Sequence, residues 1–271
     1  MIDFKINRTL AVAMLFSAFF ISFKNKKNVS DVLPGKLQPA GISPSRANES
    51  TVKITFVNTV NYSKIVLNDS IYTNPFNEKY TISKLRYYIS NVSLKNASNT
   101  FRENNSYHLI DQSKDESQSF SFNVQEGKYN SLQFLLGVDS LHNVSGAQTD
   151  ALDPANDMFW TWNSGYVMVK MEGNSPASTV VNNKYEFHIG GFSGQYNVLR
   201  EVVFNLPSTT TVFKAHKTYT FMIDADINTC WQNIHDIKIT DHPVITTPGI
   251  NAKNISDNYA NMFHLEKVIE E

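Results

Sequence analysis

The chain has 271 residues, with 24 Lys plus Arg against 25 Asp plus Glu and a formal net charge of -1. That balance, with no basic stripe, excludes a phosphate backbone as partner, so no nucleic-acid role is expected. A single cysteine, Cys230, excludes an internal disulfide, and the length suits one large all-β domain or two small ones.

Residues 1-27 begin with Lys5 and Arg8, pass through the apolar run Leu10 to Phe23 and turn polar at Lys24 to Lys27. The order of basic, apolar and polar regions reads as a secretory signal, or as an uncleaved signal anchor that would be the chain's only membrane contact. Residues 28-50 are rich in Pro, Gly, Ser, Asn and Lys without an apolar period, as in a flexible linker. The folded domain is therefore placed at 51-271, and the protein is expected to be exported to the periplasm or cell envelope.

From Thr51 onward, short runs rich in Val, Ile, Phe and Tyr alternate with turn residues. They are Val52 to Val57, Lys84 to Leu94, Ser106 to Ile110, Ser119 to Val124, Ser131 to Val138, Met158 to Met171, Tyr185 to Ile189, Val198 to Leu206 and Thr218 to Asp226. The two-residue period of Leu85, Tyr87, Ile89 and of Leu132, Phe134, Leu136 is that of half-buried strands. Many short strands predict an all-β antiparallel sandwich in one domain. Near the end, Ile255, Tyr259, Met262 and Phe263 follow helical spacing and predict a short C-terminal helix capped by Ser256 or Asp257. There is no Gly-x-Ser-x-Gly, P-loop, Gly-x-Gly-x-x-Gly or His-Glu-x-x-His, so a binding protein is expected rather than an enzyme.

The unusual chemistry lies between Gly137 and Gly173 and between Tyr185 and Gly191. His142, Met158, Trp160, Trp162 and His188 combine two imidazoles, a soft thioether and indoles, the donor palette of a copper site. A strand period would set Met158, Trp160, Trp162 and Tyr166 on one face, where aromatics more often fill a core than a site. His188 precedes Gly190 and Gly191, and a histidine there becomes a ligand only with a second one near it, for which His142 is the best partner. Asp139, Asp150, Asp153 and Asp157 make calcium the alternative ion, although their spacing is not an EF-hand and suits turns. His108, His216, His235, His242 and His264 have no paired spacing and are expected at solvated positions.

Gly137-Val138-Asp139-Ser140, Leu152-Asp153-Pro154, Met158-Phe159-Trp160-Thr161-Trp162-Asn163-Ser164-Gly165-Tyr166, Glu172-Gly173 and His188-Ile189-Gly190-Gly191 together resemble the MbnP-like proteins, the methanobactin-associated copper-binding family, in the form found in Bacteroidota. Leu85-Arg86-Tyr87-Tyr88-Ile89-Ser90-Asn91-Val92 is similar to the family's early strand. The resemblance spans roughly Thr51 to Phe263. It implies an exported β-sandwich that binds copper for acquisition or storage. It also implies that a partner di-haem enzyme of the cytochrome c peroxidase type could convert Trp160 or Trp162 to kynurenine, and that His188 and, more weakly, His142 serve as ligands. The family's disulfide-braced variant has no counterpart, because no cysteine follows His188 closely. The readings from other classes are a metal-free sandwich that binds a protein or glycan, and a calcium-stabilised adhesion-type domain.

Overall fold

The computed structural model describes residues 48-96, 98-146, 148-161, 164-206 and 212-271. The signal segment, most of the linker and Trp162 lie outside them. The strands that matter below are β1 (Glu49–Val60), β2 (Lys84–Lys95), β3 (Tyr107–Asp111), β4 (Ser119–Gln125), β5 (Ser131–Leu136), β6 (Phe159–Thr161), β7 (Gly165–Asn174), β8 (Lys184–Gly190), β9 (Arg200–Asn205), β10 (Thr218–Asp226) and β11 (Phe263–Glu270). The helices are α1 (Ser140–Asn143) and α2 (Ile250–Tyr259).

Alternation builds the core. Along β1, Val52, Ile54 and Phe56 are buried while Thr51, Lys53 and Thr55 are only partly covered, as a two-residue period requires. Each such buried side chain contributes about 1.5–3 kcal/mol. Phe56 meets Tyr87, Phe134 and Phe263 edge-on at centroid distances of 6.0, 5.9 and 5.9 Å, so one ring joins strands from two sheets. A second aromatic cluster centres on Trp231, fully buried against Tyr80, Tyr185 and Phe187. Cys230 beside it is buried too, and burial pushes its thiol up to about 12.

One sheet runs β11-β10-β1, with β4 on the far edge of β1. The other runs β9-β5-β2-β7-β8, with β3 on the second edge of β2 and β6 on β7. The all-β sandwich is therefore present, but not purely antiparallel: β1 pairs with β10 in parallel, Thr51 opposite Thr218.

Three elements differ from the sequence reading. The run from Met158 to Met171 is not one strand but two, β6 and β7, paired antiparallel with Phe159 opposite Tyr166 and Thr161 opposite Gly165. Gly165 holds φ +70, a left-handed conformation that favours glycine, and a Cβ there would strike the Asn143 side chain. The helix begins at Ile250, so Ser256 and Asp257 lie inside it and cap nothing. Finally, Phe263 starts β11, an edge strand after the helix. Its alternation is broken by a bulge, with Met222 opposite Lys267 but Ile223 opposite Leu265.

Candidate functional site

The outer face of the larger sheet carries a row of charge. Asp111, Arg86, Lys170 and His188 are directly opposite one another on β3, β2, β7 and β8. Arg86 donates to the Asp111 carboxylate at 2.8 Å, and His188 Nε2 lies 2.8 Å from Glu172 Oε1. The His188 hydrogen bond, helped by Lys84 and opposed by burial, holds Glu172 below the usual carboxylate range.

This row fastens the end of the 139-157 loop. Arg86 Nη1 donates to the Asn156 carbonyl at 3.0 Å, and the buried Lys170 ammonium donates to the Asp157 carbonyl. The Asp157 carboxylate receives Lys170 at 3.0 Å and Lys84 at 3.3 Å. Although partial burial opposes it, those cations hold Asp157 below its usual range. The chain then enters β6 and delivers Trp160. The Trp160 ring covers Gly190, where a Cβ would come within 2.6 Å of it. Gly190 lies two residues beyond His188, so side-chain alternation places the ring on the His188 face of β8.

His142 belongs to a different cluster. Asp139 caps α1 by accepting the His142 backbone N–H, and its oxygens lie 3.1 and 3.2 Å from His142 Nδ1. The Tyr107 hydroxyl donates to Asp139 and sits 2.5 Å from the same Nδ1. A carboxylate only accepts, so in the neutral imidazole this arrangement selects the Nδ1–H tautomer, and Nε2 has no hydrogen-bond partner among the described residues. Burial, and then the hydrogen bond to Asp139, push the Tyr107 phenol above its usual range. Burial opposes, but the bonds from Tyr107 and His142 hold Asp139 low. The ring borders an open cleft of about 430 Å³ that also touches Asn105, Gln148 and Asp150. A second cleft of about 280 Å³ continues past Tyr107 to His108 and Asn156.

The structure thus sets Trp160 on the face of β8 that carries His188 but does not bring His142 to His188. Their rings have no partner in common. Tyr107 is opposite Ser90 and His188 is in the row of Arg86, so the register separates their backbones by three strand spacings and four residues. That is roughly 20 Å on a flat sheet, against the ~4 Å between ring nitrogens that one shared ion demands. Met158 is 0% exposed in the core, so it is not an available thioether. Trp162 lies outside the described residues; β7 is tied to α1 by the Tyr166 backbone N–H donating to Asn143 Oδ1 at 2.8 Å. Among the described residues no three His, Cys, Asp or Glu side chains form a metal cluster. The two-histidine copper set therefore does not fit as one site; each imidazole has a carboxylate against one ring nitrogen, Asp139 for His142 and Glu172 for His188, and His142 is the one with the Tyr107 hydroxyl beside it at an open cleft.

The loop aspartates also diverge. Asp139 serves α1, Asp153 accepts from the Ala155 N–H, Asp157 pairs with lysines, and Asp150 accepts from Thr149. Nor are all the remaining histidines merely solvated: His108 stacks on Phe120 at 3.5 Å and contacts Glu103, and His235 contacts Asp257. Sequence reading missed Tyr107, whose contact with His142 arises only when β3 pairs with β2. It also missed Lys170, whose partner is a loop residue.

A sequence profile described as MbnP matches residues 49–249. Among curated proteins none matches. Among solved structures the chain is similar to MbnP from Methylosinus trichosporium, at 13% identity and a TM-score of 0.45, covering 64% of this chain and 76% of that one.

Proposed function

The chain belongs to the MbnP family, and from that premise we propose that it is an exported copper-binding protein of the cell envelope, acting in copper acquisition or storage rather than as an enzyme. His142 is the ligand we assign first. The observation that carries this is the Asp139–Tyr107 grip on Nδ1, which turns the opposite nitrogen into a fixed donor beside an open cleft. Imidazole serves Cu(I) and Cu(II) alike, so the assignment is independent of oxidation state.

A second donor would come from Trp160 or Trp162. Indole nitrogen is a poor ligand, whereas kynurenine presents an aniline amine and a carbonyl. A di-haem partner of the cytochrome c peroxidase type would supply the oxidation. His188, fastened to Glu172 in the charged row, has a structural task in this reading.

The test is copper titration against a competing chelator, using protein purified from its native envelope, with intact mass of the Trp160–Trp162 peptide. His142→Ala is expected to lose copper affinity at least tenfold and His188→Ala to retain it. Kynurenine would appear as a net gain of one oxygen and loss of one carbon. Unchanged copper binding in His142→Ala would overturn the assignment.

A further inference from the structure

The outer face of the smaller sheet, on the other side of the sandwich, contains a carboxylate with half of its needs unmet. Asp224 on β10 lies between Val57 on β1 and His264 on β11. Asp224 Oδ1 accepts a hydrogen bond from the Thr59 hydroxyl at 2.8 Å. Asp224 Oδ2 is buried and has no hydrogen-bond partner among the described residues, in a side chain that is only 6% exposed. A buried acceptor left unmade is costly, and a charged one more so. Burial, with the neighbouring charges of Asp226 and Glu266, pushes Asp224 above its usual range.

Asp224 borders a cleft of about 410 Å³ together with Thr59, Tyr62, Glu266 and Lys267. The bulge in β11 makes Glu266 the extra residue of that strand and sets it in the same cleft. Lys267 forms no ion pair among the described residues, so the cleft's own cation is not committed to either carboxylate.

We propose that this cleft is a binding site for a hard divalent cation, with calcium as the ion, held by Asp224 Oδ2 and the Glu266 carboxylate and completed by water. Both charged donors are carboxylates, which suit calcium rather than a soft metal. The site is independent of the His142 cleft and of the Asp139 to Asp157 loop. With two carboxylates and no third charged ligand, it belongs at the weak end of protein calcium sites, with a Kd of roughly 0.1–1 mM.

The experiment uses the full chain, freed of metal by a chelator, with calcium chloride titrated against sodium chloride of matched ionic strength. Calorimetry should show one saturable site, and at tenfold excess over Kd the Tm should rise by roughly 3–5 °C. Asp224→Asn and Glu266→Gln should lose the response, whereas Asp150→Asn, on the other acidic loop, should keep it. Asp224→Asn removes a buried charge, so its folding is not at risk. Lys267→Met should respond at least as strongly as the wild type. No saturable response in the wild type would overturn the proposal, as would an equal response in Asp224→Asn. A response seen only in Lys267→Met would show that the lysine occupies the site, and would overturn it too.

Discussion

Gly190→Ala is the most direct probe of how Trp160 is seated. A Cβ at this position would lie 2.6 and 2.9 Å from two carbons of the Trp160 ring and 2.9 Å from the Tyr166 carbonyl oxygen, where comfortable contacts are about 3.5–4 Å. The ring must therefore retreat by about 1 Å. Overpacking of this kind costs about 1–3 kcal/mol. For a domain of this size that lowers Tm by roughly 2–12 °C. Thermal unfolding followed by circular dichroism reads the loss, and a double-mutant cycle assigns it. In a Trp160→Ala background the ring is gone and only the carbonyl contact remains, so the cost of the alanine should shrink by about 1 kcal/mol or more. A Tm within a degree of wild type, or an equal cost in both backgrounds, would refute the packing argument.

Asp139 and Asp224 should show opposite pH signatures. Asp139 is held low in the fold, so its stabilisation is present above the unfolded pKa of about 3.9 and is lost as pH falls through the native value; Asp139→Asn should lower Tm at pH 7 by more than at pH 3.5, and an equal deficit at both would count against the bond. Asp224 is held high, so the wild type loses stability as pH climbs from about 4 through the native value. Without calcium, Asp224→Asn should be the more stable protein at pH 7, with the gap closing in acid; a destabilised variant at pH 7 would contradict the orphaned oxygen. Lys170→Met should cost about 1–2 kcal/mol, since a buried donor is lost while the Asp157 left behind is 63% exposed and solvated; faster hydrogen exchange at residues 156-161 would mark the freed loop, and unchanged exchange there would deny the clamp. Asp139→Asn should also weaken copper binding about 10–100-fold if it orients a ligating His142, which competition with a chelator would measure; undiminished affinity would remove the orienting role.

Alternation made most of the sandwich legible. Val52, Ile54 and Phe56, like Leu85, Tyr87 and Ile89, announce their buried face by period alone. Pairing was not legible, because nothing within β1 says that its neighbour is β10. The strand β11 was hidden by its own function as an edge: His264, Glu266 and Lys267 are exposed, and the bulge breaks the period. Asn163-Ser164-Gly165 was a readable turn signal, and giving it weight would have divided the tryptophan run correctly. At the site, the Asp139–His142 contact follows from a three-residue spacing at a helix start and could have been found. The Tyr107 hydroxyl that completes it comes from a strand outside the segments that drew attention, and no local pattern points to it.

The parallel pairing of β1 with β10 also sets the order of events during folding. Thr59 and its partner Asp224 are 165 residues apart in sequence, and β11 can add to the sheet only after β10 is in place. The first strand of the domain thus waits, unsatisfied along one edge, until nearly all of the chain is available. Closure of so long a loop precedes any reward from the contacts it makes, which assigns this domain to the slow, topology-limited folders. Until then the unpaired edge of β1 is the segment through which two half-made chains would pair.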